Sequence, residues 1–218
     1  MATEREIHFG SGDRKLTGDL NMSEPARALV IFAHGSGSGR RSPRNRFVAS
    51  SLNEAGIATL LLDLLTKNEE LLDDRTASLR FDIGLLARRI TAVTDWARGQ
   101  KAFARMPVGY FGASTGAGAA LLAASERNDI YAVVSRGGRP DLAGDALRAV
   151  RAPTLLIVGA RDPVVLELNR KAATQLSSHE ITIVPDATHL FEEAGMLEEV
   201  VSLAQRWFLQ HLPERRPA

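Results

Sequence analysis

An α/β domain built on a mostly parallel sheet is what this sequence predicts, and two observations carry the prediction. Short apolar runs alternate with segments of helical periodicity over most of the chain, the pattern of strands joined by crossover helices. The runs are apolar almost without interruption, as in Ala28 to Ala33 (ALVIFA) and Thr154 to Val158 (TLLIV), which suits strands covered by helices on both faces. A length of 218 residues fits one domain, 1–218, long enough to bury its own core. Its N-terminal ~15 and C-terminal ~8 residues are read as peripheral.

The elements follow in order. Arg5 to Phe9 and Lys15 to Asn21 predict an N-terminal hairpin, and Ala28 to Ala33 is the first strand covered on both faces. Ser42 caps the next helix, Pro43 suits its first turn, and Phe47, Val48, Leu52 and Ala55 make its apolar stripe before Gly56 ends it. Ile57 to Leu62 is a strand. Residues 65–81 are polar and charged, a long connection with one short helix at the border of a site. Asp82 caps a helix whose Ile83, Leu86, Ile90, Val93 and Ala97 recur at helical spacing. Val108 to Gly112, Ala132 to Ser135, Thr154 to Val158 and Ile181 to Val184 are further strands, and a helix over Leu197 to Leu209 closes the series before Pro213.

Composition excludes several classes of function. Twenty-seven basic residues offset 26 acidic ones along the chain, which argues against a nucleic-acid partner. The absence of cysteine removes thiolate metal sites and cysteine nucleophiles. No stretch approaches the roughly 18 apolar residues of a membrane span, and MATEREIHFGSGDRKL has no apolar signal core, so the expectation is a cytoplasmic protein with no membrane partner.

Three residues carry the chemistry. Gly112-Ala113-Ser114-Thr115-Gly116 lies between a strand and a small-residue helix, the context a Gly-x-Ser-x-Gly nucleophile elbow requires. Such a sharp turn has room only for hydrogen at its glycines, and the helix N-terminus behind it favours developing negative charge. A helix-capping serine is the plainer account of the same five residues. Asp162 follows the strand at Thr154, where Asp before Pro163 also reads as an ordinary helix cap. His189 follows the strand at Ile181, where a solvated loop histidine is the plainer account. The order Ser114, Asp162, His189, each after its own parallel strand, is nevertheless that of a catalytic triad. His34-Gly35-Ser36-Gly37 resembles the His-Gly-x loop that supplies one donor of an oxyanion hole, and the backbone N–H groups of Ser36 and Thr115 are the expected pair.

The strand order, the His34-Gly35 loop, the Ser114 elbow, Asp162 and His189 resemble the α/β-hydrolase superfamily through most of the chain. Tyr110 to Gly118 and the compact size are similar to dienelactone-hydrolase-like proteins. That resemblance implies a serine hydrolase cleaving a small ester or lactone through an acyl-enzyme, with no metal or organic cofactor. The named dienelactone hydrolases carry cysteine where this chain has Ser114, which favours ordinary ester chemistry. Only Gly137 to Arg151 separate two strands where larger relatives insert a cap domain, so no large cap is expected.

Two other classes compete. The glycines of Gly112 to Gly118 and of His34 to Gly39 are also those of dinucleotide-binding turns, but the first lies mid-chain and neither Tyr110 nor Tyr131 has a lysine four residues on. An inactive hydrolase-like binding or regulatory module is the alternative, which turnover of any simple ester separates from an enzyme. The expected partner is a small-molecule ester or lactone, and the expected state a monomer or small homo-oligomer. His34, Arg40, Arg41, Arg44 and Arg136 are candidate substrate-binding residues, the arginines because they leave the sheet at the triad's edge as an anion-binding rim.

Overall fold

The computed structural model describes residues 3–214 and begins with the hairpin β1 (Thr3–Ser11) and β2 (Arg14–Met22). Then come β3 (Ala28–Ala33), α1 (Pro43–Glu54), β4 (Ile57–Leu62), α2 (Lys67–Thr76) and α3 (Ile83–Gly99). β5 (Val108–Ala113), α4 (Thr115–Ser125) and β6 (Ile130–Arg136) follow, and a 3-10 segment over Pro140–Ala149 leads to β7 (Thr154–Gly159). α5 (Pro163–Ala173), β8 (His179–Val184) and α6 (Met196–Gln210) complete the chain. The eight strands form one sheet in the order β1-β2-β4-β3-β5-β6-β7-β8. Among the described residues only the β1–β2 and β2–β4 pairings are antiparallel.

Two cores flank the sheet, and alternation along each strand decides which residue joins which. Leu29, Ile31, Leu60, Tyr110 and Val133 face α3 and α4, while Val30, Phe32, Leu61, Phe111 and Val134 face α1 and α6. Both faces being covered explains the continuous apolar runs. The predicted caps form: Asn45 donates its backbone N–H to Ser42 Oγ at 3.4 Å, and Leu85 donates to Asp82 Oδ1 at 2.8 Å.

One expectation changes. The N-terminal segment is an edge of the sheet rather than a peripheral tail, because Ile7, Phe9 and Leu16 are buried in the α3 core and Phe9 packs on Trp96. Residues 215–218 of the expected C-terminal tail lie outside the described residues. The 65–81 connection does contain its short helix, α2, which Thr66 and Glu69 start with a reciprocal capping box. The β6–β7 connection holds two 3-10 turns that meet at Gly144 (φ 55°), with no cap domain. Among the described residues no helix is long and apolar enough to cross a membrane.

Candidate active site

Ser114 sits between β5 and α4 with φ 50° and ψ −123°, a backbone conformation that costs a non-glycine residue about 1–3 kcal/mol. The surroundings hold it there. Its N–H donates to Arg136 O at 3.3 Å, and its carbonyl accepts from the N–H groups of Ala117 and Arg139, each at 3.0 Å. The flanking glycines are dictated by space: a Cβ on Gly112 would lie 2.4 Å from Ala117 Cα, and one on Gly116 2.3 Å from Ala33 O. The side chain of Ser114 does not cap α4, so the capping account of this serine has no hydrogen bond behind it.

His189 lies in the loop after β8, with Nδ1 2.7 Å from Asp162 Oδ2. Asp162 stands at the end of β7, where its Oδ1 also accepts the backbone N–H of Val165 at 3.3 Å as the N-cap of α5. The imidazole lies against Gly137, the residue after β6. A Cβ on Gly137 would be 3.6 Å from His189 Cε1, and Gly137 adjoins Arg136, the residue that accepts the Ser114 N–H. Among the described residues no hydrogen bond joins Ser114 Oγ to His189, and such contacts often close only around bound substrate.

The loop after β3 passes close to the elbow, since a Cβ on Gly35 would be 2.9 Å from Ser114 Cβ. Ser36 Oγ and Thr115 Oγ1 are hydrogen-bonded at 3.0 Å, tying that loop to the start of α4. The backbone N–H groups of Ser36 and Thr115 make no backbone hydrogen bond among the described residues. Ser36, Thr115, Arg41 and Arg44 line a cavity of about 990 Å³ that extends toward β2 and α2.

The five candidate substrate-binding residues separate once their partners are seen. His34 is buried, and both ring nitrogens are in use: Nδ1 bonds Gly35 O at 2.9 Å and Nε2 accepts the Leu64 N–H at 2.9 Å. It therefore has no polar atom left for a substrate and serves as a pin between two loops. Arg40 is likewise removed from the anion rim, because its guanidinium meets Asp63, Asp19 at 3.0 Å and Glu6 at 2.6 Å. Burial opposes its charge, but the hydrogen bonds and field of Asp63 and Asp19 outweigh burial and raise its pKa. Arg41 is exposed on the cavity wall. Arg44 pairs with Glu192 at 2.5 Å, and Arg136 is buried beside Asn45.

Some residues of the site have no local sequence signature. Glu193 accepts the Thr188 N–H with both carboxylate oxygens at 3.2 Å, fixing the residue before His189. Arg89 donates to Leu64 O at 2.5 Å and to Glu69 at 2.6 Å, supporting the loop that His34 pins. Arg89 reads as an exposed member of α3 until the sheet places it, so no pattern marks it.

The alpha/beta hydrolase domain family matches residues 26–202. The chain belongs to the α/β-hydrolase family. A dienelactone hydrolase from Anabaena variabilis ATCC 29413 is similar throughout this α/β-hydrolase, at 53% identity over 97% of this chain and 99% of that one, with a TM-score of 0.95. The esterase Est1E of Butyrivibrio proteoclasticus shares the fold at 18% identity, covering 94% and 98% of the two chains, with a TM-score of 0.80. A protein of Mycobacterium tuberculosis (strain ATCC 25618 / H37Rv), provisionally named a phosphoribosyl transferase, is 56% identical over 96% of this chain. That match covers 47% of the mycobacterial protein, so the chain spans about half the length of the curated relatives it matches.

Proposed function

We propose that this α/β-hydrolase is a serine hydrolase that cleaves a small carboxylic ester or lactone through an acyl-enzyme on Ser114. The observation that carries the reading is the 2.7 Å contact from His189 Nδ1 to Asp162, made beside an elbow that holds Ser114 at φ 50°. A carboxylate on Nδ1 keeps the proton there and leaves Nε2 as the base. Ser114 Oγ attacks the acyl carbon while His189 takes its proton. The carbonyl oxygen becomes an oxyanion facing the N–H groups of Ser36 and Thr115. His189 then protonates the departing oxygen, and water repeats the sequence to release the acid.

The dienelactone hydrolase relative supports small ester or lactone substrates, although serine in the elbow favours ordinary esters. The transferase name belongs to a protein about twice as long as the part aligned here, and nothing in the site calls for it. A fluorophosphonate probe followed by peptide mapping tests the reading. One adduct, on Ser114, with hydrolysis of a short-chain ester, is expected. No reaction of the folded protein, or an adduct elsewhere, would favour the inactive binding module instead.

A further inference from the structure

Three buried guanidinium nitrogens lack a hydrogen-bond partner among the described residues: Nε and Nη1 of Arg136 and Nε of Arg44. Arg136 is only 7% exposed, and the one hydrogen bond of its guanidinium among the described residues runs from Nη2 to Asn45 Oδ1 at 3.4 Å, beyond the usual range for N–H···O. Buried arginines are normally paired, because desolvating an unpaired charge is expensive. Here the charged neighbour is another cation. Burial first, and then the field of Arg44, lower the pKa of Arg136 to about 10, which leaves it charged at neutral pH.

Neighbouring arginines show what relief would look like. Arg40 has its three carboxylates, and Arg139 has Asp141 in a two-pronged contact at 2.7 and 2.8 Å. Among the described residues Arg44 pairs with Glu192, which is largely exposed, and Arg136 has no carboxylate partner. One carboxylate for two guanidiniums leaves a positive charge uncompensated. A water molecule would satisfy N–H groups but not that charge, whereas a compact anion satisfies both.

The position gives the anion its role. The Arg136 carbonyl accepts the Ser114 N–H, the next residue borders the His189 ring, and Arg44 lines the same cavity as Ser36 and Thr115. We propose that Arg136 and Arg44 form a subsite for an oxyanion group of the substrate, a carboxylate or a phosphate, on the α1 side of the Ser114 elbow. The proposal rests on the reading of Ser114 as nucleophile. Guanidinium forks suit both anions.

The test uses three esters of one alcohol whose acyl chains end in methyl, carboxylate or phosphate. An anionic ester should exceed the neutral one in kcat/KM by about 10- to 100-fold, the effect of one charge-assisted contact, and the better anion identifies the chemistry. In Arg136→Gln and Arg44→Gln the anionic-to-neutral ratio, read within each variant, should fall to about one. Equal values in the wild type, or a ratio that survives both substitutions, overturn the proposal. Arg44 lies in the first turn of α1 and is 32% exposed on its side chain, so its variant keeps the test open if Arg136→Gln does not fold. If no ester is turned over and Ser114 is not labelled, the hydrolase reading has failed separately. Inorganic phosphate then decides the subsite: a rise in Tm that disappears in Arg44→Gln supports it, and no rise, or the same rise in the variant, overturns it.

Discussion

Asp162 divides its carboxylate between two tasks, with Oδ2 facing His189 Nδ1 at 2.7 Å and Oδ1 accepting the Val165 N–H that starts α5. The helix-cap and triad accounts of this residue are thus compatible. The cap fixes the carboxylate, and the fixed carboxylate orients the ring. Asp162→Asn is expected to retain the cap and the fold, since Asn caps as well as Asp, while kcat falls by roughly 10⁴-fold through loss of the useful tautomer. Asp162→Ala should lose the cap as well, lowering stability by about 0.5–2 kcal/mol. Steady-state kinetics and urea midpoints on both variants separate the two tasks. Asp186, the neighbouring carboxylate in sequence, makes no hydrogen bond or ion pair with His189 among the described residues, and Asp186→Asn should retain turnover. An Asn variant at 162 with near-normal kcat would remove Asp162 from the proposed triad.

Gly159 and Gly116 are expected to tolerate no methyl group. On Gly159 it would fall 2.3 Å from Ala187 O and 2.7 Å from Thr188 O, backbone atoms of the loop that carries His189. On Gly116 it would meet the carbonyls of Ala33 and His34 at 2.3 and 2.4 Å. Each alanine variant should lose at least the 1–3 kcal/mol typical of overpacking and most of the proposed esterase activity. Gly99, at the end of α3 with nothing within 4 Å, is the control, where alanine should be neutral or stabilising by up to about 1 kcal/mol. Thermal melts of the three variants check the order.

His34→Phe should cost about 1–3 kcal/mol at pH 8, because the buried Leu64 N–H loses its acceptor. Burial lowers the pKa of His34 below its ordinary 6.5, outweighing the Gly35 hydrogen bond and the field of Asp63. The unfolded chain therefore takes up a proton near pH 6.5 while the folded protein does not. The stability His34 contributes is full above that pH and declines as pH falls toward its folded pKa. The gap in unfolding free energy between wild type and variant should narrow between pH 8 and pH 5.5, as urea titrations would reveal. A gap that widens on acidification would contradict this account of His34.

Glu69 sets a second, more acidic step. Burial alone would raise its pKa, but hydrogen bonds from Arg89 and Thr66 and the field of Arg89 hold it at about 2 instead of 4.5. With its folded pKa depressed, Glu69 contributes stability above pH 4.5 that is lost as pH falls toward 2. The shift corresponds to about 2–3 kcal/mol after allowance for its partial exposure. Glu69→Gln should therefore be less stable than wild type by a nearly constant amount from pH 5 to 8, and the two should converge by about pH 2. Acid-unfolding curves followed by circular dichroism measure this directly.

The sequence by itself determined the order of elements, because uninterrupted apolar runs, helical spacing and the caps Ser42 and Asp82 are local signals that the sheet left in place. It also nominated Ser114, Asp162 and His189 as candidates, since a residue at the end of a parallel strand arrives at the same sheet edge whatever the details of packing. Only the tertiary structure decided which charged groups are available to a ligand. Arg40 and Arg136 both leave strand ends in a glycine-rich context, yet Asp19 and Glu6 reach Arg40 from the N-terminal hairpin, while Arg136 is buried beside Asn45 of α1 with no carboxylate partner among the described residues. His34 lost its predicted role in the same way, to the Leu64 N–H thirty residues away. Charge pairing depends on distances between segments remote in sequence, and those distances exist only after the hairpin, the β4–α2 connection and α1 have packed around the sheet.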